Sequence, residues 1–506
     1  MNPSLASLVY VCGIAGLFFL DRDKSVRTSK ALWLPVAYLW ILGSRPVSVW
    51  LGITPANATG LQTQIDGSPV DAAFFGILLI AAICVLVQRG RRTVTFLSAN
   101  LPILMYFLFC LFSIIWSDYP EPAFKKWIKA VGDVLMILVV LSDEQPVAAL
   151  RRLFSRTGFI LIPLSLLFIK YYPNLGTDYD EWTGAKANHG VALNKNMLGV
   201  MTFVLLLGAV WRVLALLRSD EVHPDRRRHL LAQGMLLFLG ISLLIMANSM
   251  TSLVCFAMGA GLMIMTSLRF FRRHTAAVHV LVLLLAVTVS SVMLLGGGAS
   301  AAEALGRNPN LTGRTDIWNA VIPLAPSPLL GAGFESFWLS PRVHERLAQA
   351  IPGLILNEAH DGYIEVYLEL GWVGLGLIAL ILLDGYRRAV KAFRRGPVIG
   401  GLLLAYVLAA ITYSITEAGF RMLHPMWVFL LLAVIEASSI AAGVGVGAAV
   451  PLDASPDLVS ELPARSTLAA TPTRKSMAGK SCGDVQPDFT QMCRNDHRGG
   501  KTEFSV

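Results

Sequence analysis

Apolar and polar positions along the chain fall into long blocks, not into the strict alternation of a half-buried strand. Runs of about 20 apolar residues, the length a helix needs to cross a bilayer, occur near 4–20, 31–50, 70–88, 97–116, 127–142, 157–172, 197–217, 230–247, 252–268, 275–295, 364–384, 398–417 and 425–442. The pattern predicts an all-α polytopic membrane protein of about 12–13 transmembrane helices. This transmembrane domain spans 1–442 and includes one long loop, 296–363, between the helices near 275–295 and 364–384. From 443 a Gly/Ala/Val stretch gives way to Pro, Ser, Thr and scattered charge without periodicity, so 443–506 is expected to be a disordered cytoplasmic tail.

Composition sharpens this picture. Only 15% of the 506 residues are charged, against about 25% in soluble proteins, and the mean hydropathy is +0.61; an ordinary soluble enzyme is excluded. The formal charge of +9 would point to nucleic acid in a soluble protein, but here its location decides. The first apolar run has no basic residue ahead of it and Arg22, Lys24, Arg27 and Lys30 behind it, which places the N-terminus outside. The loops that then become cytoplasmic, 21–30, 89–96, 143–156, 218–229, 269–274 and 385–397, hold 22 Lys/Arg, whereas the opposite set holds 9 over far more residues. Net charge therefore reports topology, and no nucleic-acid partner is expected. The six cysteines show no disulfide framework. Cys482, Cys493 and His497 lack a fourth ligand for zinc, so no metal is expected there.

The candidate chemistry gathers on the outer loops. In HDGYIEVYLELGWVG, 360–374, His360, Tyr363 and Tyr367 fall within about 60° of one another on a helical wheel, with Gly371 and Gly374 continuing the stripe. Asp361, Glu365 and Glu369 form a second stripe; a helix-start role explains Asp361 but not the two deeper glutamates, which need a polar cavity. A neutral imidazole at His360 suits a general base near pH 7. In NPNLTGRTDIW, 308–318, Arg314 lies beside a helix opened by Thr315 and Asp316, an arrangement suited to a phosphate or diphosphate; the bland alternative is an Arg–Asp surface contact. PLLGAGFESFW, 328–338, offers either a sugar-stacking surface or ordinary loop packing. Lys195 in HGVALNKNMLG, 189–199, and Arg421 add cations to the same side, while Arg45 in GSRPVSVWLG, 43–52, and the WSDYP stretch, 116–120, need polar partners. No P-loop, dinucleotide fingerprint or zinc protease motif appears, so no cofactor is expected.

TGRTDIW at 312–318, PLLGAGFESFW at 328–338 and HDGYIEVYLELGWVG at 360–374, in this order on a long outer loop, resemble the O-antigen ligase and polymerase superfamily. GSRPVSVWLG, WSDYP and NKNMLG are similar to its exopolysaccharide, succinoglycan-type polymerase branch. The resemblance covers about 45–440 and departs at Asn194, where a His is expected before the Lys–Asn pair. It implies a glycosyltransferase of the bacterial inner membrane whose active site faces the periplasm and whose donor is an oligosaccharide on undecaprenyl diphosphate. By position it makes Arg314 and His360 catalytic, the first on the diphosphate and the second as base on the acceptor hydroxyl or its orienter. Lys195 and Arg421 are further diphosphate ligands, and Asp361, Tyr363, Glu365, Tyr367 and Arg45 are assigned to substrate. Inverting displacement without a metal follows, in contact with the lipid bilayer, with a chain-length regulator and export proteins as further partners. Against a twelve-helix plan one span is extra, so either the N-terminal span is an addition or 230–268 is one bent helix.

Two alternatives stand beside a polymerase. An O-antigen ligase would pass the chain to lipid A-core. A transporter or flippase of lipid-linked sugars would also need cations, but it typically shows repeated halves and broken midplane helices, whereas here the polar residues gather on one outer loop.

Overall fold

A computed structural model describes residues 2–23, 27–54, 65, 67–179, 184–218, 225–294, 314–350 and 357–442. All belong to the first of two units into which the chain divides, residues 1–451. The expected tail, with Cys482, Cys493 and His497, lies outside the described residues.

Every apolar block is helical, as lipid requires of a backbone that must satisfy its own hydrogen bonds. The helices are α1 (Pro3–Leu20), α2 (Trp33–Leu42), α3 (Pro69–Gln88), α4 (Gly90–Ala99), α5 (Leu101–Ser113), α6 (Pro120–Leu141), α7 (Pro146–Tyr171), α8 (Lys195–Arg218), α9 (Arg226–Ala247), α10 (Met250–Thr266) and α11 (Thr275–Leu294), followed by α12 (Arg314–Val321), α13 (Pro341–Ala350), α14 (Gly362–Arg395), α15 (Pro397–Tyr413) and α16 (Pro425–Ala442). Proline opens α1, α3, α6, α7 and α15, where its fixed φ is pre-set for a helix and its missing N–H is not needed. The protein is thus an all-α, multi-pass membrane protein. Among the described residues six helices are long and apolar enough to span a bilayer, and α4 with α5 makes a seventh if that pair, bent by 85°, is one span. Of the shorter apolar helices, α15 and α16 are buried almost throughout.

The bend foreseen near 230–268 lies elsewhere. There, α9 and α10 are separate helices parted at Asn248, whose φ of 53° ends α9 in the left-handed conformation. The sharp turn is at Asn100, between α4 and α5. Helix α15 is buried almost all round from Gly400 to Tyr413, the mark of a core helix, and packs on α8, α10, α14 and α16. The 173–196 segment carries a small antiparallel hairpin, Thr177–Tyr179 with Lys186–Asn188.

The described part of the long loop folds onto the membrane helices around Ile317, Val321, Phe337, Trp338, Leu347 and Leu368. Its glycine-rich stretch explains the break in α14. Ala332 N–H donates to Leu368 O (3.0 Å) and Gly333 N–H to Glu369 O (2.8 Å), while Trp372 N–H donates to Pro328 O (2.9 Å) and Val373 N–H to Leu329 O (3.2 Å). The loop thereby supplies partners that the helix loses at Gly371, where φ is +62°. A Cβ on Gly371 would lie 2.3 Å from the Leu329 carbonyl carbon, and one on Gly331 would lie 2.3 Å from that of Glu369. Gly371 and Gly374 therefore serve backbone approach and packing instead of prolonging a polar stripe. Phe334, Phe337 and Trp338 are buried, so of the two readings of 328–338 packing is the one observed.

Gly371→Ala is expected to destabilise the protein by about 2 kcal/mol or more, since it adds both a disfavoured φ and a backbone clash. Thermal unfolding of the purified chain in detergent, beside Gly376→Ala where a Cβ meets open space, checks this.

Candidate functional site

Six stretches of chain converge where α14 begins and α15 ends. Asp361 caps α14, its Oδ1 accepting from the N–H groups of Tyr363 and Ile364 at 2.8 Å each, the helix-start role that residue type predicts. Gly362 N–H donates to Ser414 O at 2.7 Å, and the Tyr363 hydroxyl donates to Ile411 O at 3.0 Å, which ties the start of α14 to the end of α15. His360 precedes the helix and sits at φ +51°, so it does not extend the Tyr363/Tyr367 stripe. Its left-handed backbone turns the ring toward the loop after α15.

There it joins a row of charges that alternate in sign. Lys126 Nζ lies 3.6 Å from Glu335 Oε2, which is also 3.6 Å from Arg421 Nη2. Arg421 Nη1 lies 3.1 Å from Glu358 Oε2, and Glu358 Oε1 lies 3.1 Å from His360 Nδ1. His360 Nδ1 is 3.6 Å from Glu417 Oε2, whose Oε1 accepts from Arg314 Nη2 at 2.9 Å. Arg314 also donates to the Thr416 carbonyl, so its partner is Glu417 and not Asp316. Asn196 Nδ2 donates to both Glu417 oxygens at 3.2 Å, bringing the start of α8 alongside. Asn194, which departs from the expected His, accepts from Met197 N–H at 2.8 Å and so serves as a helix cap. Lys195 lies between them.

These neighbours set the protonation states. Burial alone would lower the His360 imidazole, but the Glu358 carboxylate, helped by Glu417, outweighs it and holds the ring up to about 10. Burial likewise works against the Glu358 carboxylate, yet His360 and Arg421 hold it well below the usual range. The neutral imidazole expected at pH 7 is therefore replaced, in this arrangement, by an imidazolium. His424, by contrast, is kept neutral by its burial, which pushes it down to about 4.

The remaining predicted residues separate. Glu365 is buried, accepting from Trp338 Nε1 at 2.7 Å and Ala359 N–H at 2.6 Å, and Glu369 accepts from Glu335 N–H at 2.6 Å. Both glutamates fasten the loop beneath the site. Tyr367 is partly buried, edge-on to Trp372. Arg45 is buried in a different cluster, donating to Gly190 O and the Leu175 carbonyl beside His189, where it ties Leu175 to Gly190. The reading of sequence missed Glu358, Glu417, Glu335 and Lys126. Glu358, two residues before His360, carried the only local signal; Lys126 comes from α6 and the other two from loops distant in sequence. Glu358, His360 and Glu417 present ligand atoms within 4.8 Å of one another and could hold a metal ion, although Arg421 and Arg314 already neutralise the two carboxylates.

Sequence matches to known proteins cover part of this site. Residues 235–379 match the O-antigen ligase family. That stretch runs from within α9 to within α14 and contains Arg314, Glu335, Glu358 and His360, whereas Lys126, Lys195, Glu417 and Arg421 lie outside it. The chain is also 26% identical over 309 residues to the exopolysaccharide production protein ExoQ of Rhizobium meliloti (strain 1021), covering 60% of this chain and 68% of that protein. The two matches together support the O-antigen ligase/exopolysaccharide polymerase branch, and with it a polysaccharide polymerase or ligase role.

Because the folded-state value of about 10 for His360 exceeds the ordinary 6.5, its stabilisation is fully present below about pH 6.5 and lost as pH rises through 10. The unfolding midpoint of wild type should fall more steeply between pH 7 and 10.5 than that of His360→Gln. Parallel slopes would show a neutral His360.

Proposed function

We propose that the protein is a bacterial inner-membrane polymerase that joins oligosaccharide repeat units carried on undecaprenyl diphosphate, with its active site on the periplasmic side. The observation that carries this reading is the row of alternating charges from Lys126 to Arg314, set at the ends of membrane helices where a lipid-linked diphosphate and its sugar would meet the protein.

The donor diphosphate would compete with Glu417 for Arg314 and with Glu358 and Glu335 for Arg421, with Lys195 close by. Phosphate matches the guanidinium fork as a carboxylate does but brings more charge. Displacing Glu417 from Arg314 leaves a carboxylate beside the His360 imidazolium. The acceptor hydroxyl oxygen then attacks the anomeric carbon from the side opposite the leaving group, the new C–O bond forms as the sugar–diphosphate C–O bond breaks, and configuration inverts. Its proton passes to Glu417, the carboxylate that the diphosphate frees from Arg314, while His360 as imidazolium orients the hydroxyl. Arginines stabilise the charge gathering on the departing lipid diphosphate.

Because the matched family is described as O-antigen ligase, a ligase reading also has support. It keeps the same donor site and changes only the acceptor, to lipid A-core.

The deciding experiment is complementation of a deletion strain with wild type, His360→Ala and Arg314→Ala at matched membrane abundance, scoring lipid-linked single repeats against polymer. Both variants are expected to lose polymer by about 100-fold or more and to accumulate single repeats facing the periplasm. Normal polymer from both variants would remove the site, and repeats retained on the cytoplasmic side would make the protein a transporter.

A further inference from the structure

Helix α6 carries Lys126 near one end and Ser142 as its cap at the other, about 24 Å away along the axis. At this second end, on the face of the bundle opposite His360, the structure contains a cavity of about 840 Å³. Four of its lining residues are arginines, Arg27, Arg89, Arg91 and Arg92, and Glu144 is the single carboxylate among the lining residues. The bias of basic residues to one membrane face accounts for their number; it does not account for their convergence on one hollow.

Two of these arginines are pinned. Arg89 Nη1 donates to Val139 O (2.7 Å) and Ser142 Oγ (3.0 Å), and its Nη2 lies 3.5 Å from the buried Asp143 carboxylate. Arg92 reaches the Asp143 and Ser142 carbonyls at 3.3 and 3.5 Å. Both keep further N–H donors for a ligand. Arg27 and Arg91 are exposed, and their side chains have no hydrogen-bond or ion-pair partner among the described residues.

The cavity also has an apolar approach. Along α3, Ile77, Ile80, Ile83 and Val87 are 68%, 65%, 47% and 73% exposed and fall within about 120° on one face, a lipid-facing stripe. Its last member, Val87, lines the cavity. Helix α4, which begins at the cavity rim, is turned by 85° from α5 and carries Arg91 and Arg92 in its first turn with Val94 64% exposed. That is the composition of a helix lying at a membrane surface.

We propose that this cavity binds the phosphate headgroup of an anionic glycerophospholipid, with an acyl chain lying along the α3 stripe. Guanidiniums converging between helices at a membrane surface recognise phosphate, and the stripe gives the ligand a tail. A soluble phosphate ester shares the headgroup chemistry and has no use for the stripe. The site is independent of the glycosyl-transfer reading and stands or falls separately from it.

The test titrates the purified full-length chain in detergent, by native mass spectrometry, with phosphatidylglycerol, phosphatidylcholine and glycerol 1-phosphate. Phosphatidylglycerol is expected to bind about tenfold tighter than phosphatidylcholine, with a preference that shrinks as salt is raised. The double variant Arg27→Gln/Arg91→Gln should lose that preference while its lipid-free unfolding midpoint stays unchanged, because neither side chain bonds to a described residue. The preference should partly return in Arg27→Lys/Arg91→Lys. Equal binding of the two lipids, or a full preference in the Gln double variant, overturns the proposal. Glycerol 1-phosphate binding as tightly as phosphatidylglycerol would overturn the lipid source and leave a soluble phosphate ester as ligand.

Discussion

The loop architecture depends on a row of charges that compensate one another where water gives way to membrane. Lys126, Glu335, Arg421, Glu358, His360, Glu417 and Arg314 alternate in sign through contacts of 2.9 to 3.6 Å. Each is partly or wholly removed from water, and a buried charge is tolerated only when its partner is present and well placed. Removing one member exposes its neighbour to the desolvation that the pair had offset. The row thereby ties α6, Arg314, the 335 and 358–360 stretches and the α15–α16 turn to one another, beside the apolar cluster around Ile317, Phe337 and Trp338.

A second layer supports it from below. Glu365 and Glu369 point into the protein and accept backbone and indole N–H groups of the loop, so Glu335 and Glu358 are presented from anchored backbone. The break of α14 at Gly371 belongs to the same device. A helix that opens its hydrogen bonds there must find others, and the 328–333 segment provides them because glycine at 331 and 371 lets two backbones come within van der Waals range. Substrate anions would thus meet cations whose positions are set in advance, and binding would exchange partners without building the site anew.

Much of the fold was legible in the sequence because lipid imposes one strong rule: apolar blocks of sufficient length become helices. Each block from 4–20 to 425–442 is helical, and Pro69, Pro120 and Pro397 mark helix starts as their geometry requires. The position of the bend was not legible, since periodicity carries no information on the turn at Asn100 or the separation at Asn248. In the site, His360, Arg314 and Arg421 were recognisable by type and place, and the structure brings all three into one row. Their partners were not, because Glu417 and Glu335 reach His360 and Arg421 from loops distant in sequence. A helical wheel misplaced His360 for a local reason: Asp361 caps the helix and leaves the histidine outside it. Arg45, read as a substrate ligand, has its guanidinium engaged by the carbonyls of Leu175 and Gly190, a long-range contact invisible to local pattern.

These charges act as one coupled unit, and a double-mutant cycle on Arg314→Gln and Glu417→Gln measures that coupling. Unfolding free energies of the purified wild type, the two single variants and the double variant would be measured at one pH and salt concentration. If the row is a unit, the double variant loses less than the two singles together, with a coupling energy of about 1–3 kcal/mol. Additivity within about 0.5 kcal/mol would mean that Arg314 and Glu417 merely lie near one another and that the row is not a unit.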